Sequence, residues 1–144
     1  MSDPELARTE DLPRLFEVWE CSVRATHAFL TEADLQALIP LVREGLAAFG
    51  PIHVLRDGEG RASAFLGVDG AKVEMLFVHA DHRGRGLGSR LLAFALEALG
   101  ATKVDVNEQN PQALGFYLHH GFHIAGRSPL DGQGNPFPIL HLTR

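Results

Sequence analysis

The chain has 144 residues and a mass of 15.7 kDa, with 13 Lys plus Arg against 18 Asp plus Glu and a formal net charge of −5. Its 45% hydrophobic and 22% charged residues make a globular mix, so one domain spanning residues 1–144 is expected, burying roughly 68–70% of its unfolded surface. A bilayer span needs roughly 18 consecutive apolar residues, which the chain lacks; a pI near 5.9 gives no footprint for nucleic acid; and the lone Cys21 with the acidic start Met1-Ser2-Asp3-Pro4-Glu5 fits a reducing cytoplasm without a secretion signal.

A short strand is expected at Glu5 to Arg8. Leu12, Leu15, Phe16, Trp19 and Val23 then recur at helical spacing behind Asp11 as N-cap and Pro13 in the first turn, predicting a helix from Asp11 to His27. Thr31 followed by Asp34 reads as a capping box. The stripe Leu35, Leu38, Ile39, Val42, Leu46 and Phe49 marks a second helix, with Pro40 expected to kink it. Ile52 to Leu55, Ala62 to Val68 and Val73 to Val78 read as strands, and Asp57-Gly58 and Asp69-Gly70 between them predict consecutive hairpins.

A glycine-rich turn follows, then a helix from Ser89 to Leu99 and a strand from Lys103 to Val106. Strand, turn, helix, strand is a crossover, so these two strands are expected to be parallel. Asn110 as cap and Pro111 at the first position open a helix that runs to His120 and stops at Gly121. Phe122 to Gly126 and Phe137 to Thr143 complete the strands, with Pro136 and Pro138 placing the last one at an edge and Gly126 to Gly134 read as a surface turn. The sum is an α+β (α/β layered) fold with a mixed sheet and about four helices.

The segment Val78-His79-Ala80-Asp81-His82-Arg83-Gly84-Arg85-Gly86-Leu87-Gly88-Ser89 carries the chemistry. Backbone N–H groups at a helix start lack partners within the helix and point outward with the positive end of its dipole, and glycines let a phosphate approach them. Arg83 and Arg85 add charge. A P-loop would require lysine here, and none is present. A dinucleotide fingerprint would require glycine where Ser89 stands, although Asp105 lies about 20 residues on, where a ribose-binding acid belongs, and that alternative stays open.

Arg83-x-x-Gly86-x-Gly88 after an apolar strand resembles the acetyl-coenzyme A signature of the GNAT superfamily of N-acetyltransferases. Asn110-Pro111-Gln112-Ala113-Leu114-Gly115-Phe116-Tyr117 through Gly121-Phe122 is similar to that family's second pattern. The runs Val106 to Asn110, Gly126-Arg127-Ser128 and Ala25-Thr26-His27 look further like the YjaB branch of bacterial acetyltransferases. The resemblance implies a sheet of about seven strands in which the parallel fourth and fifth splay apart around the cofactor's pantetheine arm. It implies that Arg83, Gly84, Arg85, Gly86, Leu87, Gly88 and Ser89 hold the pyrophosphate. The backbone of Leu76, Phe77 and Val78 would bond the pantetheine amides, the Val78 N–H would face the thioester carbonyl, and Asn110 would touch the arm.

Tyr117 is the only tyrosine in the chain. By residue type it reads as a packed aromatic; its place in the resembled pattern implies the general acid that returns a proton to the leaving thiolate. Attack also needs a neutral amine. Glu74, inside an otherwise apolar strand where burial would raise its pKa, is the candidate base, and Asp105 on the neighbouring strand is its rival. Trp19, His27 and Phe29 are candidate walls of the acceptor slot, although a histidine placed as His27 is more often a satisfied core residue. His119, His120 and His123 lack an acidic or cysteine companion and Gly121 breaks their shared face, so no metal is expected.

The expected function is transfer of acetyl from acetyl-CoA to a primary amine, on a small molecule, a protein lysine or an N-terminus, by direct attack in a ternary complex. A net charge of −5 favours cationic acceptors. A non-catalytic acyl-CoA-binding sensor is the alternative. The sequence is silent on oligomeric state.

Overall fold

Alternating apolar residues in the strands and apolar stripes on the helices can be buried together only if the sheet carries helices on both faces. The structure, a computed structural model, describes residues 3–144. In chain order it contains β1 (Glu5–Leu6), α1 (Leu12–Thr26), α2 (Glu32–Ala48), β2 (Ile52–Arg56), β3 (Ala62–Asp69), β4 (Lys72–Val78), α3 (Leu87–Glu97), β5 (Lys103–Asn107), α4 (Pro111–His119), β6 (His123–Ser128) and β7 (Ile139–Thr143). Single 3-10 turns lie at Thr9–Asp11 and Ala80–His82. The strands form one seven-stranded mixed sheet in the order β1-β2-β3-β4-β5-β7-β6, with β4 and β5 parallel and the other pairs antiparallel. The layered α+β fold expected from the sequence is the fold that forms.

Two of the expected helix starts are built as the sequence implied. The Thr31 hydroxyl accepts from the Asp34 N–H at 3.1 Å while Asp34 Oδ2 accepts from the Thr31 N–H at 2.9 Å. Asn110 Oδ1 accepts from the Ala113 N–H at 3.2 Å ahead of Pro111. Asp11 departs from its expected role. Its backbone is already helical, at φ −77° and ψ −18°, so its side chain does not fold back over the helix start. The carboxylate instead accepts from the Arg8 N–H at 2.7 Å and pairs with the Arg56 guanidinium at 2.8 Å. Helix α2 continues through Pro40, and α3 begins at Leu87, two residues before the expected start.

The last strand is also corrected. β7 lies inside the sheet between β5 and β6, because both prolines precede Ile139 and remove no ladder hydrogen bond. β6 is the edge strand and runs on to Ser128, shortening the expected turn.

Two cores share this sheet. Leu91, Leu92 and Ala95 of α3 pack on Leu66, Val73, Val104 and Leu142 on one face; Leu15, Val18 and Val23 of α1 pack on Ile52, Val54 and Phe65 on the other. Between them the sheet opens. β4 pairs with β5 only at Lys72↔Lys103 and Val73↔Val104. On its other side, Val68 faces Val73 but Gly67 faces Met75, which leaves Glu74 as an extra residue in β4. Such a bulge bends its strand and increases its twist. Beyond Glu74 the two parallel strands no longer pair.

Candidate active site

The divergence of β4 from β5 leaves a cleft of about 310 Å³ lined by Glu74 to Val78 of β4, Val104 to Asn107 of β5, Asn110, Phe116 and Tyr117 around α4, and Ser22, Thr26 and His27 at the end of α1. The ladder fixes which backbone groups face it. The His79 N–H donates to Ser63 O of β3 at 2.8 Å, and antiparallel pairs alternate between bonded and non-bonded positions. Phe77, paired with Phe65, therefore turns its N–H toward β3, while Leu76 and Val78, paired with Leu66 and Ala64, turn theirs toward the gap. With β5 splayed away, no strand meets them there.

At one end of the cleft the chain makes its glycine turn. Gly84 and Gly86 stand at φ +78° and +76°, a region L side chains rarely adopt, and a Cβ on either would meet no atom within 4 Å. Conformation therefore calls for glycine here, and the space over the turn is open. Gly86 is the N-cap of the 11-residue α3 and supplies no capping side chain, leaving the first N–H groups of that helix pointing outward. Gly88 lies against the cleft itself, since a Cβ there would sit 3.5 Å from the Phe116 ring and 3.7 Å from Val78. This combination of open turn, uncapped helix start and adjoining slot fits a diphosphate with a long amide-bearing arm.

The two arginines of the turn diverge. Arg83 lines the cleft and donates to Gln112 Oε1 at 2.8 Å, whereas Arg85 lies 3.2 Å from His82 Nδ1 and lines a separate hollow of about 300 Å³ with Arg56 and Ser63. Leu87, expected at the cofactor, has its side chain in the core at 4% exposure, so only its backbone is available to a ligand. The Ser89 hydroxyl is 3.1 Å from His120 Nε2.

Tyr117 is held edge-on by Phe116 and Phe122, with ring centroids 5.1 and 5.5 Å away. Its residue lines the cleft while burial pushes the phenol above its ordinary pKa, which keeps the proton on the oxygen. Glu74 also lines the cleft, but at the bulge its side chain is 37% exposed and 3.5 Å from Lys72 Nζ. The apolar strand does not bury this carboxylate, because the extra residue moves Glu74 out of the strand's alternation. Asp105 is more heavily engaged. Its carboxylate takes Lys72 Nζ at 2.7 Å and His141 Nδ1 at 2.7 Å, and His141 Nε2 lies 2.7 Å from Ser128 Oγ. Burial pushes the Asp105 carboxyl up, but the Lys72 and His141 bonds outweigh it and hold the group below its usual range, a poor position for a base.

Of the expected acceptor walls only His27 reaches the cleft. Trp19 is 6% exposed and packs on Phe16 at 5.7 Å within the α1 core, because its position on the helix faces the sheet. Phe29 stacks between His27 at 5.3 Å and Phe137 at 6.0 Å, behind the lining residues. The sequence reading missed Gln112 and Phe116 as lining residues, both within the motif it had quoted. Among the described residues no group of three His, Cys, Asp or Glu is arranged to hold a metal ion, and no helix is long and apolar enough to cross a membrane.

Comparison with known proteins agrees with this geometry. The acetyltransferase (GNAT) domain family matches residues 46–124. The chain is 38% identical over 136 residues to the peptidyl-lysine N-acetyltransferase YjaB of Salmonella typhimurium, covering 94% of this chain and 93% of that protein. The solution structure of apo-form YjaB from Escherichia coli superposes with a TM-score of 0.91 at 36% identity, covering 99% of this chain and 97% of the other. A PaiA N-acetyltransferase from Thermoplasma acidophilum, solved in complex with coenzyme A, shares the fold over 100% of both chains with a TM-score of 0.68 at 20% identity. With the splayed parallel pair, the glycine turn and these relatives in agreement, the chain belongs to the GNAT family of acetyltransferases.

Proposed function

We propose that the protein moves the acetyl group of acetyl-CoA to a primary amine, a protein lysine first among them, by direct attack within a ternary complex. The observation that carries this reading is the gap itself, where the Leu76 and Val78 N–H groups face open space next to Tyr117. The turn from Arg83 to Gly88 and the start of α3 would take the diphosphate, with Leu87 and Ser89 contributing through the backbone. Leu76, Phe77 and Val78 would run alongside the amide arm and Asn110 would touch it.

An acetyl thioester in this slot would present its carbonyl oxygen to the Val78 N–H. A donor already in place costs no reorganisation as that oxygen gains charge, and such donors are worth roughly 2.7–4 kcal/mol. The neutral amine nitrogen forms a bond to the carbonyl carbon, the C–S bond breaks, Tyr117 gives its proton to the departing thiolate, and the proton the new amide nitrogen sheds returns to the Tyr117 oxygen. Glu74, at the open end of the slot, takes the amine's proton through water; Asp105 is committed to Lys72 and His141. His27 lines the same cleft from the end of α1.

The lysine acceptor is supported by the names of the relatives and by the net charge of −5, which favours a cationic partner. We read residues 1–144 as one catalytic domain, since both cores share one sheet. The free Cys21 accords with a cytoplasmic setting. The test is thiol release from acetyl-CoA on addition of lysine-containing peptides, with the product mapped by mass. Acetylated lysine side chains support the reading; thiol release only with small free amines moves the acceptor class, and binding without release reduces the protein to a sensor.

A further inference from the structure

Four polar groups in the lining of the cleft form a chain, and counting their hydrogens fixes each one's role. The Thr26 hydroxyl lies 2.8 Å from Ser22 O, a carbonyl that can only accept, so its single hydrogen is spent there. The same oxygen is 2.7 Å from His27 Nδ1, which must therefore be the donor. Burial keeps the His27 imidazole neutral, so a proton on Nδ1 leaves Nε2 bare, with its lone pair aimed 3.4 Å away at Asn110 Nδ2. The opposite turn of the Asn110 amide would set Nδ2 against the Ala113 N–H and Oδ1 against the bare Nε2, so the Ala113 bond to Oδ1 at 3.2 Å and the His27 contact select one orientation together. The residue is 6% exposed, so an amide presented the wrong way round would bury an unmet donor or acceptor.

We propose that His27 is a positioning residue: as the Nδ1–H tautomer it ties the C-terminal end of α1 to the N-cap of α4 and fixes the Asn110 amide so that its remaining Nδ2 hydrogen is offered to a carbonyl oxygen of the acetyl donor. Asn110 serves as cap with its oxygen and as ligand donor with its nitrogen, and His27 keeps the two functions apart. The assignment differs from a wall of the acceptor slot. It places the effect of His27 on the donor side of the reaction, although the residue caps the end of α1. Thr26 acts through His27, since removing its hydroxyl leaves Nδ1–H without its acceptor and releases the tautomer.

This inference rests on the reading that the cleft holds acetyl-CoA, and the test separates the two. Long-range proton–nitrogen NMR of the ligand-free protein reads the ring directly. The expected pattern is a protonated Nδ1 and a bare Nε2, lost in Thr26→Val; a protonated Nε2 in the wild type overturns the proposal whatever the enzyme does. In steady-state assays, His27→Phe is expected to raise the KM for acetyl-CoA about fivefold, the weight of one net hydrogen bond, with a smaller change in kcat and in the KM of the amine. His27→Gln, whose amide can both donate and accept, is expected to restore most of the loss. Asn110→Ala added to His27→Phe is expected to cost less than it does alone; equal costs, or an effect confined to the amine KM, overturn the proposal. If the wild type fails to bind acetyl-CoA in calorimetry, the functional reading falls, and the ring spectrum still judges the tautomer.

Discussion

At the scale of single residues, the site separates groups that hold protons from groups that hold each other. Tyr117 is buried enough to keep its proton and close enough to the cleft to give it up. Tyr117→Phe retains the ring contacts with Phe116 and Phe122, so acetyl-CoA affinity should stay within about twofold while kcat falls by about 10²-fold, the low end for a general acid. Paired calorimetry and turnover measurements check both halves. Asp11 holds its proton far less readily: the Arg56 hydrogen bonds, opposed by burial and helped by the Arg8 N–H, lower its pKa from 3.8 to about 2. A depressed carboxyl contributes stability that is fully present above pH 3.8 and lost as pH falls through the folded value. Denaturant melts should therefore lose about 1–2 kcal/mol between pH 4 and pH 2, and Asp11→Asn should flatten that acid limb.

At the scale of elements, the glycine turn and the bulge do different work. Gly86 caps α3 at φ +76°, so any side chain there strains the backbone before it meets a ligand. Gly86→Asp adds a negative charge at a helix start assigned to an anion, and acetyl-CoA binding should drop by at least about 10²-fold, whereas Gly86→Asn, neutral and tolerant of that conformation, should lose much less. Titration of both variants distinguishes charge from strain. The turn was legible because glycine spacing, a preceding strand and a following helix stand in one run of sequence. The bulge was not. Val73, Glu74 and Met75 alternate as in a regular strand, and only the register against Gly67 and Val68 reveals the extra residue that exposes Glu74. The Asp105–His141 bond joins positions 36 apart, and periodicity within either strand carries no sign of it. Trp19 lies within α1 and His27 caps its end, yet the stripe that places both inward in the sequence says nothing of which reaches a cleft and which a core.

At the scale of the whole molecule, the sheet is two blocks, β1 to β4 and β5 to β7, joined by two paired positions. A ligand lying between them adds contacts to both. At acetyl-CoA concentrations near 100 times the dissociation constant the folded state gains about 2.7 kcal/mol, and at roughly 2–4 °C per kcal/mol for a domain near this size Tm should rise by about 5–10 °C. A scanning melt with and without the ligand reads it; a shift below about 1 °C would place the binding elsewhere or nowhere. The fold as a whole was readable, since strand alternation, the two Asp-Gly hairpins and the caps at Thr31 and Asn110 each agree with the final topology. The order of the last two strands was not, because prolines that flank a strand and prolines that lie within it look alike until the ladder is seen.

The inward-facing amides at Leu76 and Val78 have a kinetic consequence. The middle of a seven-stranded sheet is where hydrogen exchange is ordinarily slowest, because its amides open only with the whole domain. Phe77, bonded to β3, should follow that rule, while its two neighbours exchange with solvent deuterium as quickly as a strand at the rim. Acetyl-CoA should slow Leu76 and Val78 and leave Phe77 almost unchanged, so that protection alternating along one strand, appearing only with ligand, would time-stamp the closing of the seam.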